Sequence, residues 1–215
     1  MTWSEEAWAE CNSVFTEITK LPFLHELMDG SLPNEKFLFY LRQDAFYLAE
    51  YGKILAAIAA RLDQKEWREA FLGFSGDTVA VEQALHQFYL KDQLVDAEPT
   101  PTNLLYTGHM WRQLAAHSTE EALASVLPCF WVYKEVGDFI LANQAKGENP
   151  YQSWIDTYGG DEFAKAVAKA LFICDKYAEK CTPAQRERMT AAFKLAFKME
   201  WMFWQSAYEQ EQWRV

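Results

Sequence analysis

A cysteine directly after a proline, in "SVLPCFWVYKEVG" at 125–137, is the first candidate for chemistry in this chain. The segment otherwise reads as helix, and a proline in a helix interior removes a hydrogen bond and costs about 3 kcal/mol. The kink expected at Pro128 frees a backbone carbonyl near residue 124, beside the thiol of Cys129. A thiol so placed suits nucleophilic work, whereas in an ordinary core it is an inert small hydrophobe, and residue types alone leave both open. Tyr133 lies one helical turn further and shares its face. Two carboxylates stand where apolar side chains are expected. Asp44 interrupts the stripe Phe37, Leu41, Leu48 and Leu55, with Tyr40, Tyr47 and Tyr51 beside it. It either takes hydrogen bonds from those tyrosines as a structural group or lines a ligand cavity. Glu200 sits in "FKMEWMFW", and its alternatives are an ion pair with Lys194 or Lys198 and acid–base work at a raised pKa.

Other constellations carry less. Cys11, Cys174 and Cys181 have no such context and read as structural thiols, with no C-x-x-C spacing. The histidines His25, His86, His109 and His117 form no Glu-x-x-His pair of the kind dimetal bundles use. Glu82 and His86 share a helix face, too little for a metal site. No glycine-rich phosphate loop occurs.

The elements that must position these groups are helical throughout. Thr2–Glu5 forms a capping box, followed by a stripe of Trp3, Ala7, Trp8, Cys11, Phe15 and Ile18 in one helix. Leu21-Pro22-Phe23 breaks it, and a short turn ends at Asp29-Gly30. Pro33 opens a long helix to about Leu62, a shorter helix covers 65–72, and another runs from near Asp77 to Gln93. The stretch 94–103 reads as a loop. Thr102 or Asn103 caps a helix to about Ala116, and Ser118 with Glu121 opens the helix carrying Cys129. "TYGGD" at 157–161 is a sharp break, and Thr182, Pro183 and Gln185 open a last helix to about 210.

Composition fits one all-α domain over 1–215, with no interdomain linker. Half of the residues are hydrophobic, enough for a full core without metals or disulfides. A net charge of −11 repels nucleic acid phosphates and anionic lipid, so neither is an expected partner. The longest apolar run, "ILAAIAA" at 54–60, is far shorter than the roughly 20 residues a membrane span needs. The acidic, amphipathic start "MTWSEEAWAECN" is unlike a leader peptide, and a cytoplasmic protein is expected.

Five blocks then bring a resemblance: "DGSLPNEKFLFYLRQDAFYL" at 29–48, "YTGHM" at 106–110, "LPCFWVYKEVG" at 127–137, "WIDTYGGDEF" at 154–163 and "EWMFWQSAY" at 200–208. In this order they resemble the TenA family, the thiaminase II enzymes, across nearly the whole chain. The resemblance implies a single-domain, haem oxygenase-like helical bundle assembled as a homotetramer. It implies hydrolysis of 4-amino-5-aminomethyl-2-methylpyrimidine to the hydroxymethyl pyrimidine and, in many members, cleavage of thiamine. It assigns the nucleophile to Cys129, the acid–base glutamate to Glu200 and the pyrimidine-binding aspartate to Asp44. Tyr47, Tyr106, Tyr133 and Tyr158 match its pocket tyrosines, and Phe203 its pocket wall. No metal or cofactor is implied. Two departures stand out: Leu21, where many relatives have histidine, and Phe46, where some have tyrosine. The competing readings are a haem- or tetrapyrrole-binding bundle, which needs an axial histidine in the pocket, and a regulatory protein.

Overall fold

The computed structural model describes residues 1–85, 97–144 and 147–214. Its helices are α1 (Trp3–Ala9), α2 (Asn12–Ile18), α3 (Pro22–Asp29), α4 (Asn34–Ala59), α5 (Lys65–Leu85), α6 (Pro101–Ala116), α7 (Thr119–Asn143), α8 (Gln152–Tyr158), α9 (Asp161–Ala178) and α10 (Pro183–Glu209). No strand occurs among the described residues, as the sequence leads one to expect. The helix α4 lies along α5, α7 lies along α10, and α6 packs against α4, α7 and α10. The pair α8 and α9 covers the outer side of α7. No described helix is long and apolar enough to cross a membrane.

The expected capping boxes form. The side chains of Thr2, Ser118 and Thr182 accept the N–H of the third helical residue, while Glu5, Glu121 and Gln185 reach back to the cap. Each exchange satisfies two backbone donors that a helix start otherwise leaves unpaired.

Four local expectations fail, and packing explains each. The first stripe is not one helix: the chain turns at Cys11, whose N–H bonds to the Trp8 carbonyl at 2.8 Å. Asp175 on α9 holds Ser4 through both its backbone N–H and its hydroxyl, so α1 docks separately from α2. Residues 22–29 form a helix and not a turn, because Phe23, Leu24 and Leu27 are all fully buried. Gly30 ends it at φ +80°, the left-handed stop that glycine adopts without penalty. The break expected after residue 72 is absent. Trp67, Phe71, Phe74 and Thr78 recur at helical spacing and bury one stripe, which carries α5 through Gly73 and Gly76. The further course to Gln93, and most of the expected loop, lie outside the described residues. Finally, α6 is capped by Thr100, with Pro101 in its first turn, and not by Thr102 or Asn103.

That start of α6 is locked to α4 by a buried amide. Gln43 donates to the Glu98 carbonyl at 3.0 Å and accepts the Thr100 N–H at 2.9 Å. The Asn103 amide donates to the Gln43 carbonyl at 2.6 Å. These bonds fix how α6 and α4 meet, and so where Tyr106 stands relative to Tyr47.

Candidate active site

A cavity of about 430 Å³ opens between α4, α5, α7, α8 and α9. From α4, Asp44, Tyr47 and Tyr51 enter it, spaced by three and four residues so that they share one face. From α7 come Cys129, Phe130 and Tyr133, and from α8 Tyr158. Phe74 and Phe163 add apolar wall, while Asp77 and Glu162 sit on exposed turns of α5 and α9 at the mouth. A mostly apolar concavity with a few convergent polar groups is the usual form of a small-molecule site.

Two backbone features aim these side chains. Gly137 on α7 lies so close to the end of α8 that a Cβ there would be 2.7 Å from the Tyr158 carbonyl. Only glycine lets the two segments close, and this brings the Tyr158 ring to 4.8 Å from that of Tyr133. Pro128 does not interrupt α7, which runs unbroken from Thr119 to Asn143. Ser125 donates to the Ala122 carbonyl, and the Val126 carbonyl accepts the Tyr51 hydroxyl from across the cavity at 2.8 Å.

The tyrosines form two connected layers. Tyr40 and Tyr133 share a hydrogen bond at 3.2 Å, and the Trp154 indole N–H donates to Tyr40 at 3.3 Å. Tyr47 stacks on Tyr51 with centroids 5.3 Å apart and meets Tyr106 at 5.0 Å. Behind that wall, the Tyr106 hydroxyl donates to Glu200 Oε1 at 2.5 Å.

Asp44, Tyr47, Cys129, Tyr133 and Tyr158 thus come together on the cavity surface. Tyr106, Glu200 and Phe203 do not reach it. The expected pocket-wall position of Phe203 lies one layer deeper, with its ring 5.6 Å from Tyr47 and 6.0 Å from Tyr40. The cause is the stacking order of helices, since α6 and α10 sit behind α4 and α7. The ion-pair alternative for Glu200 is not realised: Lys194 binds Glu10 at 2.7 Å, and Lys198 is exposed. Tyr51 was visible in the sequence only as a neighbour of Asp44, although its place one turn after Tyr47 could have marked it. Phe74 was hidden by the reading of its segment as a break.

Charge decides what these groups do. Burial pushes Glu200 up to about 8, opposed by the Tyr106 hydrogen bond and reinforced by the Asp44 charge. A carboxyl so placed can hold or release a proton near neutrality. The Cys129 thiol, exposed only in part, is held well above its ordinary value, first by burial and then by the Glu200 charge. Hydrogen bonds from Tyr47 and Tyr51 pull the other way. At rest the thiol is therefore neutral. Cys11, pushed by burial to about 11, and Cys174, pushed higher still, lie outside the cavity, as does Cys181.

The TENA/THI-4/PQQC family model matches residues 8–210. The aminopyrimidine aminohydrolase of Bacillus subtilis (strain 168) is 33% identical over 214 residues, 95% of this chain and 90% of that protein. Among solved structures, the TenA homologue protein from P. horikoshii OT3 superposes with a TM-score of 0.84 at 26% identity, covering 97% of this chain and 99% of the other. A domain of unknown function with a heme oxygenase-like fold from Shewanella denitrificans OS217 gives a TM-score of 0.72 at 13% identity, covering 96% and 92%. That likeness is one of fold alone, and the fold expected from the sequence is the one found.

Proposed function

The chain belongs to the TENA/THI-4/PQQC family, and from that premise we propose that it is an aminopyrimidine aminohydrolase acting through Cys129. The substrate is 4-amino-5-aminomethyl-2-methylpyrimidine, with thiamine as a second candidate, and the product is the hydroxymethyl pyrimidine. The observation that carries this reading is a cavity thiol among tyrosines, with Asp44 beside it and a protonatable Glu200 one layer behind. In the reaction, Asp44 accepts from the amino edge of the pyrimidine, and the tyrosine faces hold the flat ring. The sulfur of Cys129 bonds to a ring carbon and the ring takes up a proton. The exocyclic C–N bond then breaks with its electron pair on the leaving nitrogen, which takes a proton relayed from Glu200 and departs as ammonia. A water oxygen bonds to the freed methylene and gives up a proton, and the C–S bond breaks to restore the thiol. Splitting one hard substitution in this way is the advantage of covalent catalysis.

Glu200 exchanges protons with this site from behind the wall. Tyr106 bonds directly to it, and a hydroxyl contact links Tyr106 to Tyr47, which faces the cavity. The proton path is therefore Tyr47, Tyr106, Glu200. A tetrapyrrole reading finds less support, because no histidine lines the cavity among the described residues, and buried His109 bonds to the Ala192 carbonyl at 3.1 Å.

The working unit we propose is the whole chain, 1–215, as one catalytic domain in a cytoplasmic homotetramer. Leu104 and Leu105 on α6, Phe172 on α9 and Leu195 on α10 are large apolar side chains left about half exposed, which supports burial between copies. Light scattering that returned the mass of a single chain would refute the assembly. Ammonia release from the aminomethyl pyrimidine, measured beside thiamine cleavage at steady state, tests the activity. Turnover of either supports the proposal and ranks the two, and turnover of neither overturns it.

A further inference from the structure

The hydroxyl of Tyr51 belongs to the cavity wall beside Cys129, and the proposed reaction gives it no task. Tyr51 is 3% exposed, its ring is fixed by stacking on Tyr47 and by Phe130 at 5.8 Å, and it lines the cavity with Cys129. Its O–H donates to the Val126 carbonyl at 2.8 Å. In a helix that carbonyl already takes the N–H of residue 130, so the tyrosine proton is not needed to satisfy it. The sulfur of Cys129, one helical turn after Val126, is within hydrogen-bond reach of the same hydroxyl.

The surroundings of the sulfur make such a donor necessary. Glu200 acts on it from α10, Asp44, Tyr40 and Tyr47 from α4, Tyr106 from α6, and Tyr158 from α8. Asp77 and Glu162 stand at the mouth. Every one of these groups is neutral or negative, and no lysine, arginine or histidine lines the cavity among the described residues. Nothing cationic there attracts a thiolate, which leaves hydroxyl donors to favour it. The Tyr47 hydroxyl is directed behind the wall, to the Met110 sulfur at 3.9 Å and to Tyr106.

We propose that Tyr51 is the switched donor for Cys129: its O–H rests on the Val126 carbonyl while the sulfur is protonated and turns onto Sγ when the thiolate forms. The switch is a rotation about the phenolic C–O bond, and no covalent bond forms or breaks. Tyr51 acts through Cys129 and is a positioning residue. Its role rests on the reading of Cys129 as nucleophile.

The test is Tyr51→Phe, which keeps the stacked ring and removes only the hydroxyl. Alkylation of Cys129 by iodoacetamide is followed at pH 8 by peptide mass spectrometry, which separates it from the other three cysteines. A hydrogen bond to a charged group is worth about one to two pH units, so the alkylation rate should fall about 10- to 100-fold. The value of kcat/KM at pH 7 should fall by a similar factor and recover as the pH rises, with KM unchanged. An unchanged alkylation rate overturns the proposal, and a lowered melting temperature alongside it would make Tyr51 a tether between α4 and α7. Should Cys129→Ser retain turnover, the catalytic reading fails, while the alkylation rates still decide what Tyr51 does to the thiol.

Discussion

Gln43 and Asp44 are adjacent on α4 and almost equally buried, at 4% and 3% exposure, yet they belong to two different kinds of polar interior. Gln43 meets the start of α6, where its bonds run to the Glu98 carbonyl, the Thr100 N–H and the Asn103 amide. None of those groups titrates, and each bond has one arrangement of its proton. Asp44 opens into the cavity, among hydroxyls that bond to one another and near a carboxyl whose proton is mobile at neutral pH. Burying a polar group costs free energy in both places. In the first the return is a fixed helix junction, and in the second it is a set of protons free to move.

The largest way to sharpen that contrast is Glu200→Gln, which keeps the shape but not the exchangeable proton. Turnover should fall by about 10²–10⁴, the usual span for an acid–base group, while product affinity changes little. The same substitution alters how stability depends on pH. Glu200 ionises near 4.5 when unfolded and near 8 when folded. Between those values the folded chain holds a proton that the unfolded chain has lost, so unfolding free energy declines as pH rises. The contribution is complete below about 4.5 and gone above about 8. Thermal melts across this window should slope downward for the wild type and lose that component in the Gln variant. Parallel slopes would mean that Glu200 is ionised throughout.

A smaller effect is expected at Asp44. Asp44→Asn removes a charge-assisted acceptor worth about 1.5–3 kcal/mol, or about 10- to 100-fold in affinity for the pyrimidine product by calorimetry. If affinity holds and only the melting temperature drops, Asp44 belongs with Gln43 as a structural group. The converse probe is Gln43→Ala. It strands the Thr100 N–H in the interior, which costs about 1–3 kcal/mol and lowers the melting temperature by several degrees. Here kcat should stay at the wild-type level. A loss of kcat with unchanged stability would show that the junction of α4 and α6 tunes the site.

Much of this was readable from residue order. The capping boxes at Thr2, Ser118 and Thr182 depend on contacts three residues apart, and all three form. Cys129 and Tyr133, or Asp44 and Tyr47, fall on shared faces by helical spacing alone. Spacing gives the face of a helix, however, and not the layer that the helix occupies. That is why Glu200, Tyr106 and Phe203 read as cavity residues although α10 and α6 hold them behind the wall. The gap expected between residues 72 and 77 fails in the opposite sense: the helix-weakening Gly73 and Gly76 are carried by the buried stripe of Trp67, Phe71 and Phe74. The need for glycine at 137 arises from the approach of α8 to α7, a long-range contact that local residue order does not carry.

The central claim is that the sulfur of Cys129 makes the bond on which the reaction depends. The direct measurement is ammonia release from 4-amino-5-aminomethyl-2-methylpyrimidine by Cys129→Ser beside the wild type, with product affinity measured on both. A hydroxyl is a far poorer nucleophile than a thiol at neutral pH, so release should disappear while the product still binds and the protein melts at an unchanged temperature. A serine variant that keeps more than about a tenth of wild-type turnover would contradict covalent catalysis by this residue.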